Sequence, residues 1–163
     1  MTGQKSTTAD RPPPTPAFTS YMSLALSQAE AAASRGETPV GAVVVRDGVV
    51  LAADGNRVRE RADPTAHAEI LVLRSAAEAL GTERLIGCDL YVTLEPCPMC
   101  AGAISLARIR RLFFGADDPK TGGVLSGPRV FSHPTCHHVP EVYDGIGATQ
   151  SARLLQKFFA DRR

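Results

Sequence analysis

Apolar residues near the start of the chain recur with a helical period. They fall at i, i+3, i+4, i+7 and i+11 and so share one face of a helix: Met22, Ala25, Leu26, Ala29 and Ala33. Thr19 or Ser20 can cap the start of this helix, and Gly36 follows its last apolar position. The pattern predicts a first helix that ends just before Gly36.

Two runs of apolar residues follow, over residues 40–45 and 49–53. Asp47 and Gly48 stand between them, and an Asp-Gly pair in this position is a strong signal for a two-residue hairpin turn. Both runs are almost continuous, which is expected of strands in a sheet that is covered on both faces. We therefore expect a hairpin of two buried strands.

A second helical pattern begins after a charged loop over residues 56–64. Thr65 is the expected N-cap, and Gly81 is expected to end the helix. Its apolar positions are Ala66, Ile70, Leu73, Ala77 and Leu80.

The remaining pattern alternates between strands and helices. It predicts strands over residues 90–94 and 111–115, with a helix over residues 98–107 between them. A long loop over residues 116–138 and a last helix from about residue 150 follow. This order predicts an α/β domain with a mixed sheet and helices on both of its sides. In such sheets, sites form beyond the strand ends, where the helices begin.

The composition is that of one ordinary globular domain. The chain has 163 residues, of which 44% are hydrophobic and 21% charged, enough for a sizeable core. Residues 1–17 are rich in Thr, Ser and Pro and are expected to be a disordered tail, which leaves residues 18–163 as a single domain. No apolar run approaches the ~20 residues that span a bilayer, and no secretory signal is recognisable. We expect a cytoplasmic protein without a membrane partner.

The net charge argues against a broad surface for polyanions. The formal charge is only +1 at pH 7, whereas nonspecific binding of nucleic acid needs a cluster of phosphate contacts. Any contact with RNA must therefore be confined to a small site whose shape fits the RNA.

Two short segments carry the candidate chemistry, namely residues 67–69 and 96–100. His67, Cys97 and Cys100 offer one imidazole and two thiols, which can bind Zn²⁺ and leave its fourth position to water. The two cysteines are i and i+3, so their sulfurs point the same way at the start of a helix. The helix N-terminus favours the thiolates that zinc requires.

Glu69 is the candidate catalytic residue. Two thiolates cancel the charge of the zinc ion, so a nearby carboxylate must take the proton of the attacking water and hand it to the leaving group. A purely structural zinc site is the alternative, and it needs a fourth protein ligand. The candidates for that ligand are His133, Cys136, His137 and His138. This alternative leaves Glu69 without a purpose.

From about residue 21 to its end, the chain resembles the bacterial TadA-type tRNA adenosine deaminases of the cytidine-deaminase-like zinc superfamily. The resemblance is carried by residues 38–43, 55–57, 63–70, 90–103 and 115–122. It implies a three-layer α/β/α fold with a central mixed five-stranded sheet and one Zn²⁺ per subunit. It also implies a homodimeric hydrolase that converts adenosine to inosine at the first (wobble) anticodon position of tRNA.

The resemblance also implies substrate contacts. Asn56 matches the family's base-contacting asparagine, and the backbone N–H of Ala68 would face the base. Asp118 and Lys120 match a loop beside the substrate backbone, where a carboxylate can accept from a ribose 2′-OH and a lysine can meet a phosphate. Arg162 and Arg163 on the last helix would contact the anticodon stem-loop.

Each of these contacts has a structural alternative. Asn56 can be a turn residue that closes the second strand, and Asp118 and Lys120 can belong to a solvated turn. Phe158 and Phe159, which precede the terminal arginines, are interpreted as core residues.

Three functions remain open at this point. The first is tRNA adenosine deamination. The second is the same chemistry on a free base or nucleoside, with guanine as the first candidate substrate. Pro98 is shared with guanine-deaminase-like relatives, residues 136–138 replace an Asn-His pair that is common in the tRNA enzymes, and residues 124–129 differ from better-known members. The third function is a noncatalytic, zinc-stabilised RNA-binding module.

Overall fold

The computed structural model describes residues 17–162, with side chains from residue 21 onward. The helices and strands, in chain order, are α1 Ala17–Ser34, β1 Gly41–Arg46, β2 Val49–Gly55, α2 Ala68–Leu80, β3 Cys88–Leu94, α3 Pro98–Leu106, β4 Arg111–Ala116, β5 Glu141–Tyr143 and α4 Ala148–Ala160. A short 3₁₀ helix, Val130–Ser132, interrupts the segment between β4 and β5. Apart from Ala17, the predicted N-terminal tail lies outside the described residues.

The strands form a five-stranded sheet in the order β2-β1-β3-β4-β5. Strand β1 is antiparallel to both β2 and β3, whereas β3, β4 and β5 are parallel to one another. This mixed sheet confirms the predicted fold class. Strand β5 has only three residues and was not recognisable from an apolar run.

Side chains of the central strands alternate between two cores, as the two-residue period of a strand requires. The core beneath α2 and α3 includes Val44, Leu90, Val92, Leu112 and Phe114. The core beneath α1 includes Val43, Val45, Tyr91 and Phe113. Because α2 and α3 lie on the same face, and β2 and β3 run in the same direction, the N-termini of the two helices can meet at one end of the sheet.

The predicted hairpin is present. Asp47 and Gly48 have φ angles of 50° and 76°, and two successive positive φ values are the signature of a type I′ turn. The expectation that both strands are buried is wrong for β2. It is the edge strand, and its first residues, Val49 and Val50, are 59% and 40% exposed.

Helix α1 lies against the hairpin at a pair of glycines. Gly41 and Gly55 are partners in the β1–β2 register. A Cβ atom on Gly41 would collide with Ala25 O and Ala29 N of α1, and one on Gly55 would approach Gln28 O. The two glycines therefore permit the close approach of helix and sheet.

Two predicted helix caps are wrong. Helix α1 already begins at Ala17, upstream of Thr19 and Ser20. The N-cap of α2 is His67, because the Thr65 hydroxyl instead donates to Asp63 Oδ1 at 2.7 Å and closes a preceding turn. His67 therefore lies directly before the first turn of α2.

The predicted long loop between β4 and β5 is ordered against the core. Val124 is buried, and Val130 and Phe131 pack against the α2–α3 side of the sheet. Among residues 17–162, no helix has the length and apolar character that a bilayer span requires.

Candidate active site

The candidate metal ligands lie at the starts of two helices. His67 is the N-cap of α2, and Cys97 is the N-cap of α3; both have extended backbone angles. Pro98 occupies the first turn of α3, where its missing N–H costs no hydrogen bond. Cys100 lies one turn further along α3 and turns its sulfur to the same side as Cys97.

The three side chains converge as predicted. His67 Nδ1 lies 3.6 Å from Cys97 Sγ and 3.5 Å from Cys100 Sγ. A tetrahedral ion with Zn–S and Zn–N bonds of usual length separates sulfur and nitrogen ligands by about 3.6 Å. The three donors therefore have the spacing of ligands to one small cation. In the described part of the chain, no further His, Cys, Asp or Glu side chain joins this group.

The candidate fourth protein ligands all lie elsewhere. Nε2 of His133 and Nε2 of His138 lie 2.6 Å and 2.7 Å from backbone carbonyl oxygens of other residues. Cys136 Sγ lies 3.3 Å from the Ser105 hydroxyl, and His137 is exposed. Within residues 17–162, the geometry thus supports an open three-ligand site and not a closed structural one.

The two thiols differ in their proton affinity. A hydrogen bond from Cys100, supported by His67, lowers the pKa of Cys97 to about 4. The same hydrogen bond, together with burial, raises the pKa of Cys100. The hydrogen bond to Cys97 raises the pKa of His67. A cation bound between the two sulfurs would stabilise the thiolate form of both.

Glu69 lies in the first turn of α2, two residues after His67. Its side chain is buried, and this burial raises the pKa of the Glu69 carboxyl. It lines the same cavity as His67 and Cys97. A buried carboxyl with a raised pKa, open to a cavity beside a cation site, is suited to accept and return a proton.

The cavity has a volume of about 490 Å³, within the range of about 300–1,000 Å³ that is usual for small-molecule sites. Its polar lining includes Glu37, Asn56, Arg59, Glu95, Asp117, Asp118 and Thr121. Its apolar lining includes Val40, Val58, Leu94, Leu155 and Phe159. Polar and charged residues outnumber apolar ones in this lining, so a ligand there would meet many possible hydrogen-bond partners.

Asn56 faces the cavity, but its side chain also supports α2. Its Oδ1 atom accepts a hydrogen bond of 2.8 Å from the backbone N–H of Ala68. The expectation that this N–H faces the base is corrected accordingly, since Asn56 already uses it. The NH₂ group is then the end of Asn56 that can meet a substrate.

Asp118 lies at the cavity edge and caps its own turn. Its carboxylate accepts from the backbone N–H groups of Lys120 and Thr121, at 3.1 Å and 3.0 Å, and from the Thr121 hydroxyl. Lys120 itself is exposed and does not line the cavity. These contacts fit the turn interpretation, and the RNA contacts of both residues stay predictions.

The end of α4 contributes both core and cavity residues. Phe158 is buried as predicted, but Phe159 is 51% exposed and lines the cavity with Leu155, four residues earlier. The prediction that Phe159 is a core residue is therefore wrong. The Arg162 guanidinium lies 3.4 Å from the centre of the Phe158 ring, and Arg163 lies outside the described residues.

Two buried carboxylates of the cavity were missed by the sequence analysis. Glu37 and Glu95 are each only 2% exposed. Glu37 accepts from the backbone N–H groups of Arg59 and Glu60 on one side of the cavity, at 3.2 Å and 2.8 Å. Glu95 accepts from the loop after β4 on the other side. An acidic residue directly after an apolar strand was the available signal for Glu95. Glu37 lies four residues before β1 and has no such signal.

Glu95 is held in its charged form by its donors. Burial by itself raises the pKa of this carboxyl, but hydrogen bonds from the backbone of Asp118, Ser126 and Val124 outweigh that effect and lower the pKa. The carboxylate is therefore ionised at neutral pH and available as an acceptor.

Comparison with known proteins assigns the chain to a family. A family model described as MafB19-like deaminase matches residues 18–163. The tRNA-specific adenosine deaminase of Agrobacterium fabrum is 61% identical over 145 residues, which is 89% of this chain and 95% of that protein.

Solved structures agree with this assignment. One from a study of A-to-I editing by tRNA:A34 deaminases at the wobble position of transfer RNA has a TM-score of 0.83 and 63% identity, covering 84% of this chain and 99% of the other. A guanine deaminase from Nitrosomonas europaea is similar at a TM-score of 0.71 and 25% identity, covering 87% and 84%. The chain belongs to the MafB19-like deaminase family, in the branch of the tRNA-specific adenosine deaminases.

Proposed function

We propose that this chain is a zinc-dependent hydrolase that deaminates adenosine to inosine at the first (wobble) anticodon position of tRNA. The observation that carries the proposal is the convergence of His67, Cys97 and Cys100 beside the buried Glu69 in one cavity. The 61% identity to a tRNA-specific adenosine deaminase supports the choice of substrate.

His67, Cys97 and Cys100 would hold one Zn²⁺ per subunit. One imidazole and two thiols are ligands that zinc prefers, and their mutual distances suit a tetrahedral ion. When bound, the ion would supply an acidified water as the nucleophile. The absence of a fourth protein ligand among the described residues supports an open coordination position for that water.

Glu69 would move the protons of the reaction. Hydrolysis adds water at C6 of adenine and breaks the bond from C6 to the exocyclic nitrogen. One proton of the water ends on ring N1, and the other leaves with the amine as ammonia. The raised pKa of Glu69 suits a carboxyl that must take a proton from water and return it to both nitrogens.

Asn56 would orient the base through its NH₂ group, because its Oδ1 already accepts from the Ala68 N–H. Ala68 then acts on the substrate only through Asn56. Asp118 would accept from a ribose hydroxyl, and Lys120 and the terminal arginines, Arg162 and Arg163, would meet phosphates of the anticodon stem-loop. These contacts are local, as the near-neutral net charge requires.

The proposed enzyme is a homodimer in the cytoplasm. The outer face of α3 presents Met99 and Leu106, which are 38% and 76% exposed. Gly102 lies between them, and a Cβ atom there would meet no atom within 4 Å. A mid-helix glycine costs about 1 kcal/mol relative to alanine, so its presence on an open face supports close approach by a second subunit.

Inosine formation tests the proposal. The purified zinc protein is incubated with an anticodon stem-loop that carries adenosine at its first anticodon position, and nucleosides are analysed after digestion. We expect inosine from the wild type and none from Glu69→Ala at equal zinc content. A wild type that makes no inosine from this RNA would contradict the proposal.

Guanine deamination is the second candidate. The similarity to the guanine deaminase from Nitrosomonas europaea favours it. Free guanine is therefore assayed in parallel for release of ammonia. Ammonia from guanine without inosine from RNA would assign the chain to the free-base reaction.

A further inference from the structure

We propose that Glu95 is a positioning residue that fixes the loop of residues 117–126 as one wall of the cavity and thereby sets the affinity for RNA. The inference rests on the proposed function for the identity of the substrate. It concerns a residue that neither binds the ion nor takes part in proton transfer.

The Glu95 carboxylate binds both ends of this loop. Its Oε1 accepts from the backbone N–H of Asp118 at 3.1 Å and from the Ser126 hydroxyl at 3.0 Å. Its Oε2 accepts from three consecutive N–H groups, those of Val124, Leu125 and Ser126, at 3.1, 3.0 and 3.0 Å. A single buried side chain thus closes the loop by joining its two ends.

The loop has little room to move in this position. A Cβ atom on Gly122 would collide with the Glu95 carboxylate, and one on Gly123 would collide with the backbone of Pro98. Gly123 also donates its N–H to Pro96 O at 2.8 Å. The loop therefore packs directly on the turn that carries Cys97.

The first part of the loop faces the cavity. Asp117, Asp118 and Thr121 line the cavity, whereas Val124 is buried in the core. The hydrogen bond from Asp118 to Glu95 is thus the link that connects the cavity wall to the fixed end of the loop. Its loss would move the wall and leave the metal ligands in place.

A glutamine at position 95 removes that link selectively. All five donors are neutral backbone or hydroxyl groups. The amide of Gln has only one oxygen, so it can accept from the donors at one end of the loop but not from those at both ends. The favourable orientation keeps its oxygen toward residues 124–126 and turns its NH₂ toward the Asp118 N–H, where two donors face each other. The Glu95 backbone N–H still donates to Ala116 O at 2.8 Å, which retains the local backbone.

Glu37→Gln is the matched control for Glu95→Gln. Both glutamates are 2% exposed. Glu37 accepts from backbone N–H groups on one side of the cavity, and Glu95 accepts from the loop on the other side. Amide hydrogen exchange is measured for both zinc-loaded variants, together with kcat and KM on the anticodon stem-loop. Zinc content is determined for each protein.

We expect Glu95→Gln to speed exchange at the Asp118 amide by about tenfold or more, with no change at residues 59 and 60. Glu37→Gln should speed exchange at the amides of residues 59 and 60 and leave exchange at the Asp118 amide unchanged. In Glu95→Gln, KM should rise about tenfold while kcat stays within about twofold and zinc stays at one per subunit.

Unchanged exchange at the Asp118 amide in Glu95→Gln would overturn the proposal, as would faster exchange in both loops in both variants. A fall in kcat with unchanged KM would overturn the link to RNA affinity. A wild type without inosine formation would refute the proposed function and that link, while the exchange pattern would still decide whether Glu95 holds the loop. Should Glu95→Gln fail to fold, Ser126→Ala removes one hydrogen bond to Oε1 and must shift exchange in the same loop, or the proposal fails.

Discussion

Asn56 Oδ1 accepts a 2.8 Å hydrogen bond from the backbone N–H of Ala68, the residue between His67 and Glu69. One side chain from the end of β2 is thereby tied to the turn that carries a candidate ligand and the candidate proton carrier. The same side chain lines the cavity. Asn56 therefore combines a structural contact with a position from which it can meet a substrate.

Substitution of Asn56 should separate these two roles. Asn56→Ala leaves the buried Ala68 N–H without its acceptor, so the free energy of unfolding should fall by about 1–3 kcal/mol, and kcat/KM should also fall. Asn56→Asp keeps an oxygen for Ala68 but removes the NH₂ donor, so kcat/KM should fall with a smaller loss of stability. Denaturant unfolding and inosine formation measure the two effects. Full activity of Asn56→Asp would refute the base contact.

Loss of a ligand should release the ion. Cys100 and Cys88 are both fully buried, which makes Cys88→Ala the matched control for Cys100→Ala. We expect Cys100→Ala to lose zinc and to unfold at a lower temperature, because metal binding contributes to folding free energy. Cys88→Ala should lose stability through its cavity alone and keep one ion per subunit. Metal analysis after dialysis decides, and full zinc occupancy in Cys100→Ala would refute the ligand assignment.

Part of the motif could be interpreted from the sequence because its geometry is local: Cys97 and Cys100 share one helical turn. His67 lies 30 residues before Cys97, and its convergence with the cysteines was expected because sites in such sheets form where helices begin beyond the strand ends. The family and the fold class are confirmed. Apolar runs predicted β1, β3 and β4, since buried strands of a mixed sheet need such runs.

The features that the sequence analysis did not predict depend on contacts between segments that are distant in the sequence. Strand β5 has three residues of mixed polarity, Glu141–Tyr143, and pairs with the edge of β4. Glu37 and Glu95 bind backbone groups more than 20 residues away, which no local pattern reveals. Phe159 has the apolar character of a core residue, but α4 ends at the cavity rim and leaves it exposed.

Tyr91 should make the folded protein sensitive to high pH. Burial raises its pKa to about 12, above the value of about 10 expected in the unfolded chain. Its neutral form therefore stabilises the fold below pH 10, and this contribution is lost as the pH rises to 12, up to about 2.7 kcal/mol. Urea unfolding from pH 9 to 12 measures the loss. Tyr91→Phe should show a smaller decline, and an identical pH dependence would contradict the assignment.

Gly102 should control dimerisation. In the single subunit, a side chain at this position enters open space, so Gly102→Leu should leave the fold intact. The same side chain should block the close approach of a second α3 and shift the protein to monomers in sedimentation velocity. Gly102→Ala should act in the same direction with a smaller effect. A dimer of unchanged affinity in Gly102→Leu would place the interface elsewhere.

Proton transfer by Glu69 is the central claim, and single-turnover formation of inosine tests it most directly. Wild type and Glu69→Gln are loaded with equal amounts of zinc and mixed in excess with the anticodon stem-loop. We predict that Glu69→Gln binds the RNA but forms inosine at least about 10²-fold more slowly, the usual scale for loss of a general acid–base group. Inosine formation by Glu69→Gln at the wild-type rate would contradict the account.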